Sequence, residues 1–327
     1  MKGITLSNGH VLRYVVASGA LAFDGKGWPW EKWLVKLGFI KPELFEVVLK
    51  TLTLKSRRGN FQWWNPLTWL LISPWSCMKL ITGGAVNKVG LTNKGFKWWW
   101  LNVAPKIDFD RYSIIVSLYG TTKELVYMTE FLNQLRLAAI ELNPSCPNTG
   151  HGMPSADEVI DSVKAVKAVT RHPVIVKVSV VQAYEKIAES LKGIAEAISL
   201  NSVPWEVIFG QAKSPLWRLE KRVGGGGGGV SGELAQLLNW PVVGKLARQG
   251  ALPVICPDIM EFKNLDYVRE MLGAGAVSFG TIHLPTKGEF WRTLFTNPCK
   301  PTKFVERYEA EEKKRKEKTP HESNDRS

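Results

Sequence analysis

The sequence contains few cysteines, and no two of them lie close together. Cys77, Cys146, Cys256 and Cys299 stand far apart in 327 residues, with no Cys-x-x-Cys pair. Zinc and iron–sulfur sites held by one chain draw on closely spaced cysteines, and disulfide frameworks need several in a short chain. The pattern therefore predicts no metal site and no disulfide framework.

Long apolar runs are also missing. The longest run near the tryptophan-rich part is 69–72 (WLLI), whereas a membrane-spanning helix needs about 20 apolar residues. We expect no signal peptide and a cytoplasmic location. Tryptophans cluster at 28–33, 63–75 and 98–100. They are interpreted as packing for a cap or a subunit interface, and peripheral contact with a membrane stays open.

Acidic residues are outnumbered, with 30 Asp and Glu against 43 Lys and Arg, which gives a net charge of +13. Such an excess is typical of proteins that bind nucleic acid, anionic lipid or an acidic ligand. The basic residues are scattered, however, apart from 313–316 (KKRK). We interpret the charge as a solvated surface with some attraction for anions, and we expect no nucleic-acid partner.

Short apolar runs alternate with amphipathic stretches along the chain. The stretches 122–136 and 155–169 predict helices, and Ser155 with Glu158 has the spacing of a capping box. Eight apolar runs predict strands that are covered on both faces. Eight strands alternating with helices predict an α/β fold, the (β/α)8 TIM barrel. The predicted strands are 14–18, 46–52, 113–118, 138–143, 173–178, 197–201, 252–256 and 276–281.

Two segments do not fit a plain barrel. Residues 1–308 are expected to form a single barrel domain, but the connection 53–112 is too long for a simple crossover and predicts an inserted cap over the barrel mouth. Residues 309–327 form a charged tail that we expect to begin as a helix and then fray.

Polar residues follow most of the predicted strands, where catalytic residues of such barrels lie. The fourth strand runs into "IELNPSCPNTG" (140–150). Asn, Ser and Pro are turn-forming residues, so an ordinary turn is one interpretation. The other is a site that reads amide groups with Asn143 and Asn148 and moves a proton with Cys146. Polar endings on six strands favour the site.

At this point the chain resembles the dihydroorotate dehydrogenase family, flavin barrels that oxidise dihydroorotate to orotate in pyrimidine biosynthesis. The most specific elements are "KTLT" (50–53), "VNKVGLTN" (86–93) and "LNPSCPN" (142–148). Further matches, in the family's order, are "VVASGALAFDGKG" (15–27), "PVIVKV" (173–178), "SLNS" (199–202), "GGVSG" (228–232) and "GAGAVSFGTI" (273–282). Together they cover nearly the whole chain.

The resemblance implies FMN as the cofactor. Glycine N–H groups of the run at 228–232 would approach its phosphate, although a flexible linker is the alternative interpretation of this run. Lys177 would stabilise the reduced, anionic flavin. The residues that the resemblance assigns to the flavin are Ala17, Ser18, Gly19, Lys50, Thr51, Ser117, Asn143, Lys177, Gly228, Gly229, Ser231, Gly232, Gly280 and Thr281.

The resemblance also implies dihydroorotate as the substrate, a cyclic diamide that carries a carboxylate. Its carboxylate would face Lys50, Asn87 and the backbone of Val89, Gly90 and Leu91. Its amides would be read by Asn143, Asn148, Asn201 and Ser202, because an asparagine side chain offers both a donor and an acceptor.

Cys146 occupies the position of the catalytic base. Its thiolate would take the proton from C5 while hydride leaves C6 for flavin N5. A cysteine here resembles the soluble, class 1 enzymes of the family, whereas the quinone-linked class generally has serine. A buried, inert cysteine is the alternative.

The sequence departs from the family pattern at Pro144 and at "VICPDIM" (254–260), where members generally have a glycine pair that helps bind the phosphate. There Pro257 lacks an N–H and Asp258 adds negative charge. Alternative functions are a related flavin barrel, such as a dihydropyrimidine dehydrogenase module or a tRNA dihydrouridine synthase, and a flavin-free binding scaffold. The electron acceptor stays open between fumarate, quinone and a partner subunit carrying iron–sulfur and FAD. A homodimer also stays open.

Overall fold

Eight parallel strands close into a barrel in a computed structural model of the chain, which describes residues 2–61, 77–145 and 152–318. The predicted (β/α)8 barrel is confirmed, and every predicted strand is present, most of them shorter by a few residues. In spatial order the barrel strands are β3 (Tyr14–Val16), β4 (Glu46–Val48), β7 (Ser113–Leu118), β8 (Ala139–Leu142), β9 (Val174–Val178), β10 (Ala197–Leu200), β13 (Val254–Cys256) and β14 (Ala276–Phe279).

Helices follow most barrel strands and cover the outside of the barrel. The two predicted helices form at Thr122–Leu132 and Ala156–Val169, and Ser155 and Glu158 make the predicted capping box. Within the described residues, the other α-helices are Lys32–Lys36, Phe96–Asn102, Tyr184–Ser190, Trp205–Phe209, Trp217–Val223, Glu233–Gln249, Asn264–Tyr267, Phe290–Thr293 and Lys300–Lys318. Short 3-10 turns lie at Pro42–Leu44, Ala104–Lys106, Thr281–His283 and Asn297–Cys299, and a π-helical turn at Val268–Leu272.

A second, antiparallel sheet has the order β11 (Val203–Pro204), β12 (Gly229–Gly232), β6 (Gly84–Asn87) and β5 (Met78–Ile81). The end of the glycine run is therefore a strand, paired on both sides, and not a linker. The interpretation of 53–112 as a cap stays a prediction. Residues 62–76, which include Trp63, Trp64, Trp69 and Trp75 of the predicted tryptophan cluster, lie outside the described residues.

The amino end of the barrel is filled by a short hairpin, β1 (Ile4–Thr5) paired with β2 (Val11–Leu12). Its Ile4, Leu6 and Leu12 pack in one buried cluster with a layer of apolar side chains from the barrel strands. Each barrel strand contributes one residue to this layer: Val15, Val48, Ile115, Ala139, Ile175, Ala197, Ile255 and Ala276.

The side chains two positions further along these strands are of a different kind. Successive side chains of a strand point to opposite faces, so residues i and i+2 share the barrel interior. The second layer is Ala17, Lys50, Ser117, Glu141, Lys177, Ser199, Pro257 and Ser278. The interior thus changes from apolar to mostly polar toward the carboxyl ends of the strands, and this change places the site.

The carboxyl-terminal helix packs against the barrel wall. The Tyr14 hydroxyl donates to Glu309 over 2.6 Å, and Arg269 pairs with Glu312 over 3.0 Å. The first part of the predicted tail is therefore helical as far as Lys318, and 319–327 lie outside the described residues. Among the helices of the described ranges, none combines the length and the apolar composition that crossing a bilayer requires.

Candidate active site

A cavity of about 760 Å³ lies between the carboxyl ends of the barrel strands and the second sheet. Most of the predicted site residues line it. From the predicted flavin set these are Ala17, Ser18, Gly19, Lys50, Thr51, Asn143, Lys177, Ser231, Gly280 and Thr281. From the predicted substrate set they are Lys50, Asn87, Val89, Gly90, Leu91, Asn143, Asn201 and Ser202.

The other predicted residues lie elsewhere. Ser117 is fully buried beneath the cavity and bonds to Thr51 and Glu141. Gly228, Gly229 and Gly232 belong to the β12 region and are not part of the cavity wall. The predicted base Cys146 and the predicted amide reader Asn148 lie outside the described residues.

A chain of hydrogen bonds ties the strand ends together around the cavity. The Thr51 hydroxyl lies 2.9 Å from those of both Ser18 and Ser117 and accepts the Asn143 amide over 3.2 Å. Asn201 in turn donates to Asn143 Oδ1 over 3.3 Å and to the Ser145 carbonyl over 3.1 Å. Buried polar groups need such partners, so Asn143 and Asn201 are held in fixed orientations.

Two charged residues of the second interior layer form an ion pair. Lys177 Nζ lies 3.6 Å from Glu141 Oε2, and both side chains are almost completely buried. Glu141 also accepts the Ser117 hydroxyl over 2.8 Å. Sequence reasoning missed Glu141, although a lone carboxylate inside the apolar run of β8 is a signal that could have found it.

The loop after β6 turns its backbone toward the cavity. Gly90 and Leu91 both have positive φ, 74° and 55°, and the second value is uncommon for a residue with a side chain. Asn93 stabilises this turn, because its buried amide donates to the Leu91 carbonyl over 2.7 Å. Buried Lys88 donates to the carbonyls of Gly225 and Gly226 and so fastens the same loop to the glycine run.

An aromatic wall that sequence reasoning did not assign closes another side of the cavity. The rings of Trp28 and Trp30 stack with centroids 5.5 Å apart, and the Trp28 indole donates to the Gly19 carbonyl. The buried Glu31 carboxylate accepts the backbone N–H of Trp28 over 2.9 Å, and burial raises the pKa of Glu31 to about 7. The tryptophan cluster at 28–33 was the available signal for this wall.

His283 also lines the cavity and lies just beyond the end of β14. Burial lowers its pKa to about 4, so the ring is neutral near pH 7. Neither ring nitrogen has a hydrogen-bond partner within the described residues. Those residues also contain no cluster of three or more His, Cys, Asp and Glu that could hold a metal ion.

Asp258 is a buried carboxylate at the end of the cavity next to β12. Its Oδ1 accepts the Gly232 N–H over 2.9 Å, and its Oδ2 accepts the Asn239 amide over 2.7 Å. Burial raises the pKa of Asp258 to about 6, although these two hydrogen bonds and the charge of Lys177 act to lower it. Its φ of +62° is a conformation that favours glycine.

Comparison with known proteins adds an independent observation. The profile described as "Dihydroorotate dehydrogenase" matches residues 38–282. The chain is 32% identical over 246 residues to "Dihydroorotate dehydrogenase B (NAD(+)), catalytic subunit" of Bacteroides thetaiotaomicron, covering 72% of this chain and 74% of the relative. The chain belongs to the dihydroorotate dehydrogenase family.

Other members of the family show similar agreement. The protein of Caldicellulosiruptor saccharolyticus with the same name is 29% identical over 251 residues, covering 74% of this chain and 76% of the relative. A Solibacter usitatus protein whose name includes "dihydroorotate dehydrogenase A (fumarate)" is 33% identical over 216 residues, 61% of this chain and 66% of the relative. The predicted family and the predicted oxidoreductase class are confirmed.

The cavity fits the two ends of the family's flavin unequally. Small residues at 17–19, the Lys177 cation and the Ser231 and Thr281 hydroxyls suit a flat ring system and a polyol chain. The phosphate end does not fit. There Gly232, which caps the amino terminus of the helix Glu233–Gln249, already donates its N–H to the Asp258 carboxylate. Pro257 offers no N–H.

Proposed function

We propose that this cavity is where dihydroorotate is oxidised to orotate with a bound flavin as the hydride acceptor, and that Cys146 takes the proton from C5. The observation that carries the proposal is the convergence of Lys50, Asn87, Asn143 and Asn201 on one cavity from four separate segments of the chain. The substrate needs one cation and several amide partners, and this set supplies both.

The fixed asparagines support the assignment of the substrate amides. Because Asn143 is held by Thr51 and Asn201 is held by Asn143 and Ser145, neither amide has to reorganise when a ligand binds. Preorganised donors of this kind stabilise charge in a transition state more than mobile ones do. The substrate would be oriented by these two residues, with its carboxylate directed to Lys50.

The residue before Cys146 supports its role as the base. Ser145 is fully buried and its hydroxyl donates to Asn143, which lines the cavity. Loss of the proton to a thiolate and of hydride to the flavin together form the double bond of orotate. This division of roles requires no metal ion.

The electron acceptor is proposed to be a partner subunit. The two relatives named "Dihydroorotate dehydrogenase B (NAD(+)), catalytic subunit" support a partner subunit as the acceptor. The name of the Solibacter usitatus relative supports the alternative acceptor, fumarate. Oxidation of the reduced protein by fumarate, by a quinone and by a partner fraction from the source cell, compared at equal protein concentration, distinguishes the three.

The function is tested by mixing flavin-loaded protein with dihydroorotate in the absence of oxygen and recording the flavin absorbance. We expect bleaching with dihydroorotate and little with dihydrouracil, which has the same ring but no carboxylate for Lys50. A protein that takes up no flavin, or a loaded protein that dihydroorotate does not bleach, contradicts the proposal. Equal bleaching by dihydrouracil contradicts the assignment of the substrate.

A further inference from the structure

The helix Glu233–Gln249 begins directly after Gly232, whose N–H bonds to Asp258 at one end of the cavity. A helix amino terminus attracts anions, because its first N–H groups lack partners within the helix and the helix dipole favours negative charge. Here the chain supplies the anion itself. The Gly232 N–H bonds to Asp258, and the Glu233 N–H bonds to the Gly83 carbonyl over 2.7 Å.

Asp258 is built into the fold at this place. Asn239, on the same helix, donates to its second oxygen over 2.7 Å, and the Gln236 amide donates to its backbone carbonyl over 2.7 Å. A larger residue at position 232 would displace the start of the helix, because a Cβ there would lie 2.4 Å from the Gly83 carbonyl oxygen. The carboxylate is therefore a fixed part of the cavity wall.

Two hydroxyl groups lie at the same end of the cavity. The hydroxyls of Ser231 and Thr281 both line the cavity and lie 2.6 Å apart, and Gly280 precedes Thr281. Hydroxyls both donate and accept, so they match the hydroxyl groups of a polyol chain. A phosphate would instead find the N–H groups of Gly232 and Glu233 already bonded and a carboxylate beside it, and bringing like charges together in a buried place is unfavourable.

We propose that Asp258 makes the cavity select riboflavin, whose side chain ends in a neutral hydroxyl, over FMN, whose side chain ends in a phosphate. The inference rests on the proposed function only in requiring that the cavity binds a flavin. In this assignment the Asp258 carboxylate compensates the partial positive charge of the helix amino terminus. In FMN the phosphate of the ligand would have this role.

The test is a comparison of the two flavins on the same protein. Full-length protein is stripped of bound flavin and titrated with riboflavin and with FMN at about pH 8, where the Asp258 carboxyl and the phosphate are both ionised. Quenching of flavin fluorescence reports binding without reference to activity. Mass spectrometry of the flavin that copurifies with the protein gives a second readout.

Two variants and one control sharpen the comparison. Asp258→Asn removes the charge and keeps the shape. Asp258→Gly suits the positive φ and frees both the Gly232 N–H and the Asn239 amide for a phosphate. Glu261→Gln removes the same unit of charge from an exposed position three residues away and controls for the change in net charge.

We expect riboflavin to bind at least about tenfold more tightly than FMN to the wild-type protein. Asp258→Gly should tighten FMN binding by at least about tenfold and change riboflavin binding less than about threefold, with Asp258→Asn in between and Glu261→Gln without effect. FMN binding that equals or exceeds riboflavin binding in the wild type overturns this inference and leaves the proposed function standing. Binding of neither flavin to any of the proteins overturns both.

Discussion

Lys177 and Glu141 face each other on the neighbouring strands β9 and β8, with 3.6 Å between Nζ and Oε2, inside the barrel and almost out of contact with water. Each charge has lost most of its hydration, so each depends on the other. The cation that the family resemblance assigns to the flavin is therefore partly compensated by a residue of the chain before any ligand binds.

This dependence predicts a strongly non-additive pair of substitutions. Lys177→Met should lower the free energy of unfolding by about 3–5 kcal/mol, because it leaves the Glu141 carboxylate buried without a cation. Adding Glu141→Gln to Lys177→Met should restore a large part of that loss. Urea denaturation of the two single variants and the double variant measures the coupling, and additive effects would show that the pair is not coupled.

Lys50 is predicted to bind the substrate carboxylate. Lys50→Ala should weaken orotate binding by about 1.5–3 kcal/mol, the usual contribution of a charge-assisted contact, while flavin retention changes little. Equilibrium titration with orotate measures the first effect and absorbance of the purified protein the second. Lys55→Ala, at an exposed position nearby, is the control, and unchanged orotate affinity in Lys50→Ala would remove Lys50 from the substrate site.

Cys146 is predicted to take the C5 proton. Cys146→Ala should keep the flavin and bind orotate but slow flavin reduction by about 10²- to 10⁴-fold, the usual contribution of a positioned base. In the wild type, reduction should accelerate as pH rises through the titration of the thiol, near about 8.5 for an unperturbed cysteine. Rapid mixing with dihydroorotate across pH measures both effects.

Cys77 provides the matched control for this experiment. Burial raises the pKa of the Cys77 thiol to about 12 even though the charge of Lys50 opposes the shift, so Cys77 is not a thiolate near neutral pH. Cys77→Ser should leave both the rate and its pH dependence as in the wild type. A Cys146→Ala protein that is reduced at the wild-type rate would make Cys146 a turn residue only.

Glu31 predicts a pH-dependent stability. Because its folded-state pKa of about 7 lies above its ordinary value of 4.5, the folded protein binds this proton more tightly than the unfolded chain. Its favourable contribution is complete below about pH 4.5 and is lost as the pH rises through about 7. Glu31→Gln should therefore raise the free energy of unfolding by up to about 3 kcal/mol at pH 8 and by little at pH 4.5.

Denaturation of the wild type and of Glu31→Gln at these two pH values checks this prediction. Glu43→Gln, which removes an exposed carboxylate from the turn that precedes β4, should show no comparable difference between the two pH values. An equal effect of Glu31→Gln at both pH values would mean that the side chain acts through packing and not through its proton.

The barrel could be predicted from the sequence because its signals are local. The apolar runs of the eight strands and the capping box at Ser155 each depend on a few neighbouring residues. The polar strand ends could be predicted too, since all parallel strands of a barrel end on one side. Asn143, Asn201 and Lys50 are therefore in the cavity that the sequence predicts.

The parts that could not be predicted depend on pairing between distant segments. Gly229–Gly232 pairs with Gly84–Asn87 across about 140 residues of chain, and no local pattern reveals that partner. Asp258 was visible as a departure from the family pattern, but its bond to Gly232 follows only from the packing of β12 beside the end of β13. The pKa of Glu31 depends on burial beside Trp28, and Trp28 packs against Phe61 from a separate segment of the chain, a contact that no local pattern reveals.

The hairpin of Ile4, Leu6 and Leu12 closes the way along the barrel axis, so small molecules reach and leave the cavity on the side of the strands' carboxyl ends. Dihydroorotate and a small-molecule electron acceptor would both react at the flavin in this cavity, so they would have to bind one after the other. Steady-state kinetics with a small-molecule acceptor should then give parallel double-reciprocal lines, the pattern of a ping-pong reaction, with each reactant inhibiting at high concentration. Electrons passed to a partner through protein would be free of this competition.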